Sequence, residues 1–211
     1  MDAQRTDAWF TARAGRFTAS RASDLMARTK TGPSASRAAL LTELAIERLT
    51  GQPVPSYSNP AMQRGIELEA EARDAYAFAK LCAVHEVGFI AADGLPNTGC
   101  SPDGLVGDDG MVEVKCPANM AKHLDALRSG AHAVEYRWQL QHQMMVTGRA
   151  WNDAVSYHPA FPEGLQLAVT RVERDEEAIA QLRAEIIKAD AEVEAIVAEL
   201  RAMQNSMEKA A

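Results

Sequence analysis

Apolar residues recur along the chain with two periods, and the change of period separates predicted helices from predicted strands. A spacing of three to four residues predicts helices over about 35–50, 59–82, 119–129, 133–147 and 175–204. Alternating or continuous apolar runs predict strands over 84–91, 98–106, 111–116, 151–157 and 166–173. Since the two types intermix without an internal repeat, we expect one α/β or α+β layered domain over residues 1–211, with a mixed central β-sheet flanked by helices.

The last predicted helix is long and acidic, and it carries apolar residues on one face at near-heptad spacing. These residues are Ile179, Leu182, Ile186, Val193, Ile196, Leu200 and Met203. Packing of this face against its own domain is the ordinary outcome and our first expectation. A contact with another subunit or with a partner protein is the alternative.

Three charged residues in the central strands are predicted to meet. Glu113 and Lys115 are two residues apart in the run 111–116, so their side chains point the same way. Residues 107–110, Gly-Asp-Asp-Gly, predict a hairpin turn that folds the strand of Asp103 back beside that of Glu113. Two carboxylates and one ammonium therefore converge.

Such a trio suits the hydrolysis of a phosphodiester. Hard divalent ions such as Mg²⁺ take oxygen ligands and keep several waters, so two carboxylates and a substrate phosphate form a fitting site. The metal lowers the pKa of a bound water and stabilises charge on the phosphate, while Lys115 positions or deprotonates that water. The alternative is a solvent-facing hairpin whose acidic and basic side chains only pair across the strands.

Several further motifs accompany the trio in sequence order. They are Trp9-Phe10-x-x-Arg13-x-Gly15-x-x-Thr18-Ala19-Ser20, Arg64-Gly65-Ile66-Glu67-Leu68-Glu69, Cys100-Ser101-Pro102-Asp103-Gly104, Val112-Glu113-Val114-Lys115-Cys116-Pro117, Tyr136-Arg137-Trp138-Gln139 and Val172-Glu173-Arg174-Asp175-Glu176. The Pro-Asp and Glu-x-Lys pair resembles the PD-(D/E)XK nucleases. Together the motifs resemble the YqaJ-type viral recombinases, the family that includes phage lambda exonuclease. This resemblance implies a restriction-endonuclease-like core with a long C-terminal helix.

The resemblance also implies roles for the trio. It makes Asp103 and Glu113 the metal-binding carboxylates, with the carbonyl of Val114 as an additional ligand. It gives Lys115 the role of activating water or stabilising the transition state. The implied cofactor is Mg²⁺, with Mn²⁺ as a substitute.

Four residues outside the trio match functional positions of the family. Glu69 matches an acid contributed from a helix, and Gln139 matches a polar residue near the catalytic centre. Arg13 and Ser20 match positions that grip a terminal 5′-phosphate. From the residues alone, a salt bridge with Arg73, four residues further along the helix, is the ordinary explanation for Glu69.

Ser20 has a simpler interpretation as well. It precedes a predicted helix over 21–28 and lies at or near the N-cap. A helix N-terminus favours an anion, and Arg13 and Arg16 lie a few residues upstream and add positive charge. Capping and phosphate binding are compatible roles.

The net charge of −7 differs from that of most duplex-binding proteins, which neutralise phosphates with Lys and Arg. The distribution is uneven: residues 1–50 carry eight basic and five acidic side chains, whereas residues 172–211 carry five basic and ten acidic ones. N-terminal basic residues could therefore line a DNA channel. Arg28 and Lys30 lie in a polar segment that either approaches DNA or forms an ordinary linker.

These features predict a Mg²⁺-dependent 5′-to-3′ exonuclease. It would degrade one strand of duplex DNA from its ends and leave 3′ single strands for phage-type recombination. The resemblance further implies a homotrimer and a single-strand annealing protein as a partner. A structure-specific or nicking endonuclease of the same fold, or a DNA-end-binding recombination protein without catalysis, remains the alternative.

The sequence also argues against a cysteine-based site and against a membrane or secreted protein. The three cysteines, Cys82, Cys100 and Cys116, lack a paired C-x-x-C spacing, which argues against a zinc site or a disulfide framework. We expect them to be small buried apolar residues.

No run approaches the roughly 20 apolar residues of a membrane span, and the polar opening does not resemble a signal peptide, so we expect a cytoplasmic protein.

Overall fold

A computed structural model describes residues 4–30, 32–55 and 59–210 of the chain. The α-helices are α1 (Asp7–Arg13), α2 (Ala22–Met26), α3 (Ala35–Thr50), α4 (Pro60–Lys80), α5 (Met120–Ser129), α6 (Ala131–Glu135), α7 (Arg137–Thr147) and α8 (Glu176–Ala210). The strands are β1 (Phe17–Thr18), β2 (Arg28–Thr29), β3 (Gly32–Pro33), β4 (Val84–His85), β5 (Ile90–Ala91), β6 (Thr98–Cys100), β7 (Gly104–Val106), β8 (Gly110–Lys115), β9 (Trp151–Tyr157) and β10 (Leu167–Glu173). Residue 31 of the predicted polar segment lies outside the described residues.

The described strands form one central sheet and two small ones. The central sheet has the order β10-β9-β8-β7-β4, in which β8 and β9 are parallel and the other pairs are antiparallel. A small sheet of order β1-β6-β5 lies beside it, and β2 pairs with β3. The predicted mixed sheet flanked by helices is confirmed, as is the hairpin between β7 and β8. The strands predicted at 151–157 and 166–173 are also present, and the second begins at Leu167.

The two faces of the central sheet have different coverings. On one face, Ala72 and Tyr76 of α4 pack against Val112, Val114 and Val155. Glu113 lies between Val112 and Val114 in β8. Because successive side chains of a strand alternate, Glu113 points to the opposite face. There α7 covers the sheet, and its polar residues rather than its apolar ones meet Glu113.

A buried ionic network closes the α4 face of the sheet. Asp153 of β9 is only 1% exposed, and its carboxylate accepts hydrogen bonds from Tyr76 Oη at 2.8 Å and from Arg171 Nε at 2.8 Å and Nη2 at 3.0 Å. The Arg171 guanidinium stacks 3.5 Å from the centroid of a Trp151 ring. The network joins α4, β9 and β10.

The long C-terminal helix packs on the domain through its first half. Ile179, Leu182, Ile186 and Val193 are buried against α2 and α3, which confirms the first expectation for this helix. The later members of the predicted stripe, Ile196, Leu200 and Met203, are exposed. The helix is also longer than predicted, since it ends at Ala210. None of the described helices is long and apolar enough to cross a membrane.

Basic residues of the N-terminal half pair with acids of α8. Arg37 bonds to Glu185 at 2.8 Å and to Glu192 at 2.9 Å, and it is buried. Arg48 makes equivalent pairs with Asp190 and Glu194. The uneven charge distribution along the sequence is thus partly neutralised inside the fold.

Four predicted elements were wrong in their continuity. The run 98–106 is two strands in different sheets, because Pro102 has no N–H for a ladder and the chain turns between Cys100 and Gly104. The run 84–91 is likewise split between β4 and β5. The predicted helix 133–147 breaks at Tyr136 into α6 and α7. The predicted helix over 21–28 is shorter: α2 runs from Ala22 to Met26, and Ala19–Arg21 before it form a 3₁₀ turn, so Ser20 does not cap α2.

Candidate active site

The end of β8 extends beyond its shorter neighbour, and this offset opens the site. The last pairing between β7 and β8 joins Gly104 to Val112, so the following residues of β8 have no β7 partner. Asp103, just before β7, occupies that position, and its Oδ2 accepts the backbone N–H of Val114 at 2.7 Å. The predicted convergence of Asp103 with Glu113 is therefore present, at the end of β8 that extends past β7.

Glu113 is 4% exposed and accepts three side-chain hydrogen bonds. Its Oε1 accepts from Lys115 Nζ at 2.7 Å and from Gln139 Nε2, and its Oε2 accepts from Gln143 Nε2 at 2.6 Å. The alternative of a solvent-facing hairpin is excluded by this burial. Gln143 was not among the predicted site residues, although its spacing of four from Gln139 on one helix face is the signal for it.

Lys115 is held as an ammonium between two carboxylates and an aromatic ring. Its Nζ lies 4.8 Å from the centroid of the Tyr136 ring. Burial disfavours its charged form, but the carboxylates of Glu113 and Asp103 outweigh this effect and raise the pKa of Lys115. The side chain thus places a positive charge beside the two carboxylates.

The carboxylates repel one another. Burial, followed by the charges of Glu113 and Glu69, raises the pKa of Asp103 well above its ordinary value. A divalent cation would relieve this repulsion, and Asp103, Glu113 and the carbonyl of Val114 offer the oxygen donors that Mg²⁺ prefers. Within the described ranges, no three His, Cys, Asp or Glu side chains are arranged to hold a metal ion by themselves. Such an ion would thus complete its shell with backbone oxygen, water or substrate.

Glu69 lines the same cavity, and both of its carboxylate oxygens are engaged. Oε1 accepts from Arg73 Nη1 at 2.6 Å, which is the predicted salt bridge within α4, and Oε2 pairs with Arg5. Met62 and Ile66 lie seven and three residues before Glu69, on the same face of α4. They are exposed and line the cavity instead of entering the core. The core face of α4 is offset and carries Ala72 and Tyr76.

The predicted phosphate-binding residues lie together beside the trio. The Arg13 guanidinium stacks 4.1 Å from the centroid of a Trp9 ring, and it donates to Ser101 Oγ at 3.4 Å and to Ser20 Oγ at 3.3 Å. Trp9 Nε1 also donates to Ser101 Oγ, at 2.9 Å. Burial lowers the pKa of Arg13 to about 10, so it remains charged at neutral pH. Ser101 was not among the predicted site residues, although its place directly before Pro102 and Asp103 is the signal for it.

Parallel pairing of β1 with β6 brings this group to the trio. Phe17 pairs with Thr98 and Thr18 with Gly99, so the segments that flank the two strands also meet. Arg13 and Ser20 flank β1, and Ser101 follows β6 directly.

The predicted DNA contacts divide into two groups. Arg16 lines the cavity, and its guanidinium lies 5.8 Å from the centroid of the Phe89 ring. Arg28 instead bonds to Glu185 of α8 at 2.7 Å, and neither it nor Lys30 lines the cavity. The structure therefore brings only Arg16 of these three to the site.

A cavity of about 1150 Å³ connects the groups. Its walls include Asp103, Glu113, Lys115, Arg13 and Ser20. It combines an anionic centre, suited to a metal ion, with an adjacent cationic pocket, suited to a phosphate. Of the three cysteines, Cys100 and Cys116 are buried as expected, and Cys82 is half-buried.

Solved structures resemble the chain over nearly its full length. An alkaline exonuclease (LHK-Exo) from Laribacter hongkongensis is 42% identical, with 96% of this chain and 100% of that chain covered and a TM-score of 0.88. LHK-Exo in complex with dAMP is 43% identical with the same coverage and TM-score. A phage related exonuclease from Haemophilus somnus 129PT shares the fold, at 15% identity, 88% and 96% coverage and a TM-score of 0.74.

Comparison with curated proteins gave no match. The family model described as the YqaJ-like viral recombinase domain matches residues 8–150, which include every residue of the site described above except Arg5. The chain therefore belongs to the family of YqaJ-like viral recombinase domains.

Proposed function

We propose that the chain is a Mg²⁺-dependent exonuclease that degrades one strand of duplex DNA from its 5′ end and leaves 3′ single strands for recombination. Family membership and the similarity to exonucleases support a nuclease. The observation that carries the finer proposal is the adjacency, in one cavity, of the Asp103–Glu113–Lys115 trio and the pocket of Arg13 and Ser20.

The metal would be held by Asp103, Glu113 and the Val114 carbonyl. When bound, Mg²⁺ would supply a water of lowered pKa and neutralise charge on the scissile phosphate. The protonated Lys115 lies between the two carboxylates. It therefore stabilises negative charge that develops on the phosphate, and it positions the attacking water. Gln139 keeps the Glu113 carboxylate in place through its amide.

The basic pocket and the family membership support the proposed 5′ polarity. Arg13 has no carboxylate within salt-bridge distance in the described part of the chain, and it is desolvated, which strengthens its attraction for a phosphate. Ser20 and Ser101 lie within reach of the same guanidinium and offer hydroxyl donors. A terminal phosphate bound there occupies the cavity next to the metal-binding carboxylates.

The test is digestion of a linear duplex with a 5′-phosphate on one strand and a distinct label at each end, with closed circular duplex as the matched substrate. With Mg²⁺ or Mn²⁺ we expect the phosphorylated 5′ end to be released first, an intact opposite strand, and uncut circles. EDTA should stop digestion. Rapid cutting of circles would favour the endonuclease alternative, and binding of ends without digestion would favour a non-catalytic role.

A further inference from the structure

A chain of buried amides ends on Glu113. Gln143 of α7 donates Nε2 to Glu113 Oε2 at 2.6 Å, and Asn152 of β9 donates Nδ2 to Gln143 Oε1 at 2.7 Å. Gln143 and Asn152 are both 0% exposed. Asn152 lies two residues before Ala154, the β9 partner of Glu113, and therefore on the same face of the sheet.

The orientation of each amide follows from the carboxylate outward. An ionised carboxylate can only accept, so Gln143 must turn its NH₂ group to Glu113. Its carbonyl oxygen then faces Asn152, which must donate in turn. The Oδ1 of Asn152 is buried and has no hydrogen-bond partner among the described residues, which is an unfavourable arrangement for a side chain kept only for packing. Asn152 is thus placed for its donor.

The bonds to Glu113 leave unequal capacity on its two oxygens. Oε1 accepts from both Lys115 and Gln139, which uses its two lone pairs. Oε2 accepts from Gln143 alone, so it keeps one lone pair. A cation that binds Glu113 without displacing these donors must therefore bind Oε2, the oxygen whose direction Gln143 sets.

We propose that Asn152 is a positioning residue for divalent-cation binding: it orients Gln143, which in turn presents Oε2 of Glu113 to the metal. This inference rests on the proposed function, because it requires a cation at the trio. Partners that orient a metal ligand typically change metal affinity by about 10–100-fold when removed. Asn152 touches neither metal nor substrate, so its effect must pass through Gln143.

A double-mutant cycle followed by calorimetric titration of Mn²⁺ into the full chain tests this dependence. The variants are Asn152→Val, Gln143→Leu and the double variant. Valine is chosen at position 152 because it suits a strand and lacks the hydrogen-bond donor. We expect each single change to weaken Mn²⁺ binding by about tenfold or more. The double variant should bind no more weakly than Gln143→Leu alone, because Asn152 acts only through that residue. Asn152→Ala serves if the valine variant does not fold.

Gln141→Leu is the matched control. Gln141 lies on the same helix and is buried, but its amide bonds to the Glu173 carbonyl at 2.8 Å and the Asp175 N–H at 2.9 Å, away from Glu113. Its loss should lower the melting temperature while Mn²⁺ affinity stays within about twofold of wild type, a shift far below the tenfold change expected for an oriented metal ligand.

Two failures are distinguishable. Wild-type affinity in Asn152→Val, or an equal loss on adding this change to Gln143→Leu, would overturn the inference and leave the proposed function standing. Absence of Mn²⁺ binding by the wild-type chain would overturn the proposed function, and the inference with it.

Discussion

Asp103 shows how one residue serves both backbone and chemistry. Its carboxylate replaces a missing strand partner for Val114, yet burial, followed by the charges of Glu113 and Glu69, raises its pKa. The folded state therefore favours the protonated form of Asp103 more than the unfolded state does. Its ionised form at neutral pH is a cost to stability that a bound cation would remove.

We expect Asp103→Asn to abolish hydrolysis and to raise the melting temperature at pH 7 by at least about 2 °C, the shift for roughly 1 kcal/mol in a chain of this size. The asparagine can still accept the Val114 N–H but carries no charge. Since the folded-state pKa is raised, the gain should grow as pH rises above 3.8, the ordinary pKa, and vanish below it. Asp108→Asn, in the exposed turn between β7 and β8, is the control. A lower melting temperature for Asp103→Asn at pH 7 would contradict the argument.

Lys115 provides a second test of the trio. Lys115→Ala should abolish hydrolysis, because the change removes the ammonium that is bonded to Glu113, while the midpoint of thermal unfolding moves by only a few degrees. Lys122→Ala is the comparison, since Lys122 also lines the cavity but pairs with the exposed Glu135. Normal digestion by Lys115→Ala would remove the proposed mechanism.

Asp153 tests the network behind the site. Asp153→Ala leaves the buried Tyr76 hydroxyl and the Arg171 guanidinium without their shared acceptor. We expect a loss of about 1.5–3 kcal/mol in the free energy of unfolding, the range for hydrogen bonds to a charged group. Urea denaturation measures it, with the exposed Asp125→Ala expected within about 0.5 kcal/mol of wild type.

At the scale of elements, periodicity predicted most helices and strands from residue 35 onward but not where they break, and it did not predict α1 or β1 to β3. The pairing of Glu113 with Lys115 and the hairpin turn depend on neighbours in sequence, and both were correct. The chain changes from the small sheet to the central sheet at Pro102. This change depends on the strand with which β6 pairs, and that strand, β1, is distant in sequence. The same limit hid Asn152, whose role appears only once β9 and α7 meet.

The two glycines at the ends of the hairpin turn are required for different reasons, Gly110 for packing and Gly107 for backbone conformation. A Cβ at Gly110 would lie 1.9 Å from Trp151 Cζ2, in the ring that stacks on Arg171, whereas Gly107 has a φ of 53° and nothing within 4 Å of an added Cβ. We expect Gly110→Ala to destabilise by several kcal/mol, because Trp151 must move. Gly107→Asn, which tolerates positive φ, should cost less than about 1 kcal/mol. Similar melting curves for the two variants would refute this assignment.

At the scale of the whole molecule, net charge is a poor guide to the DNA-binding surface. Arg28, Arg37 and Arg48 are neutralised by acids of α8, so they strengthen the fold instead of attracting phosphates. Arg13 and Arg16 remain in the cavity without an acidic partner among the described residues. A small local excess of positive charge thus exists within an acidic protein.

The salt dependence of DNA binding should reflect this division. In EDTA, with a 5′-phosphorylated duplex, Arg16→Ala should reduce the slope of log affinity against log salt by about 1, the value for one lost phosphate contact. Arg28→Ala should leave the slope unchanged, because its charge is already paired with Glu185. Fluorescence anisotropy measures both. An unchanged slope in Arg16→Ala would show that this residue contacts no phosphate.

The trimeric assembly stays a prediction. The second half of α8 is exposed on the isolated chain, with Leu200, Met203 and Met207 on its surface. Light scattering of the purified protein would report three times the 22.9 kDa chain mass for a trimer. A mass equal to that of one chain would refute it.

Ser101 and Asp103 are separated by a single proline, the residue with the least backbone freedom. The hydroxyl that meets Arg13 and the carboxylate proposed to hold the cation are therefore joined by a short segment of restricted backbone freedom. If the proposed exonuclease anchors a 5′-phosphate at Arg13, this short segment would limit how far from that phosphate the next bond is cut. The length of the released fragment would then be independent of the bases it contains.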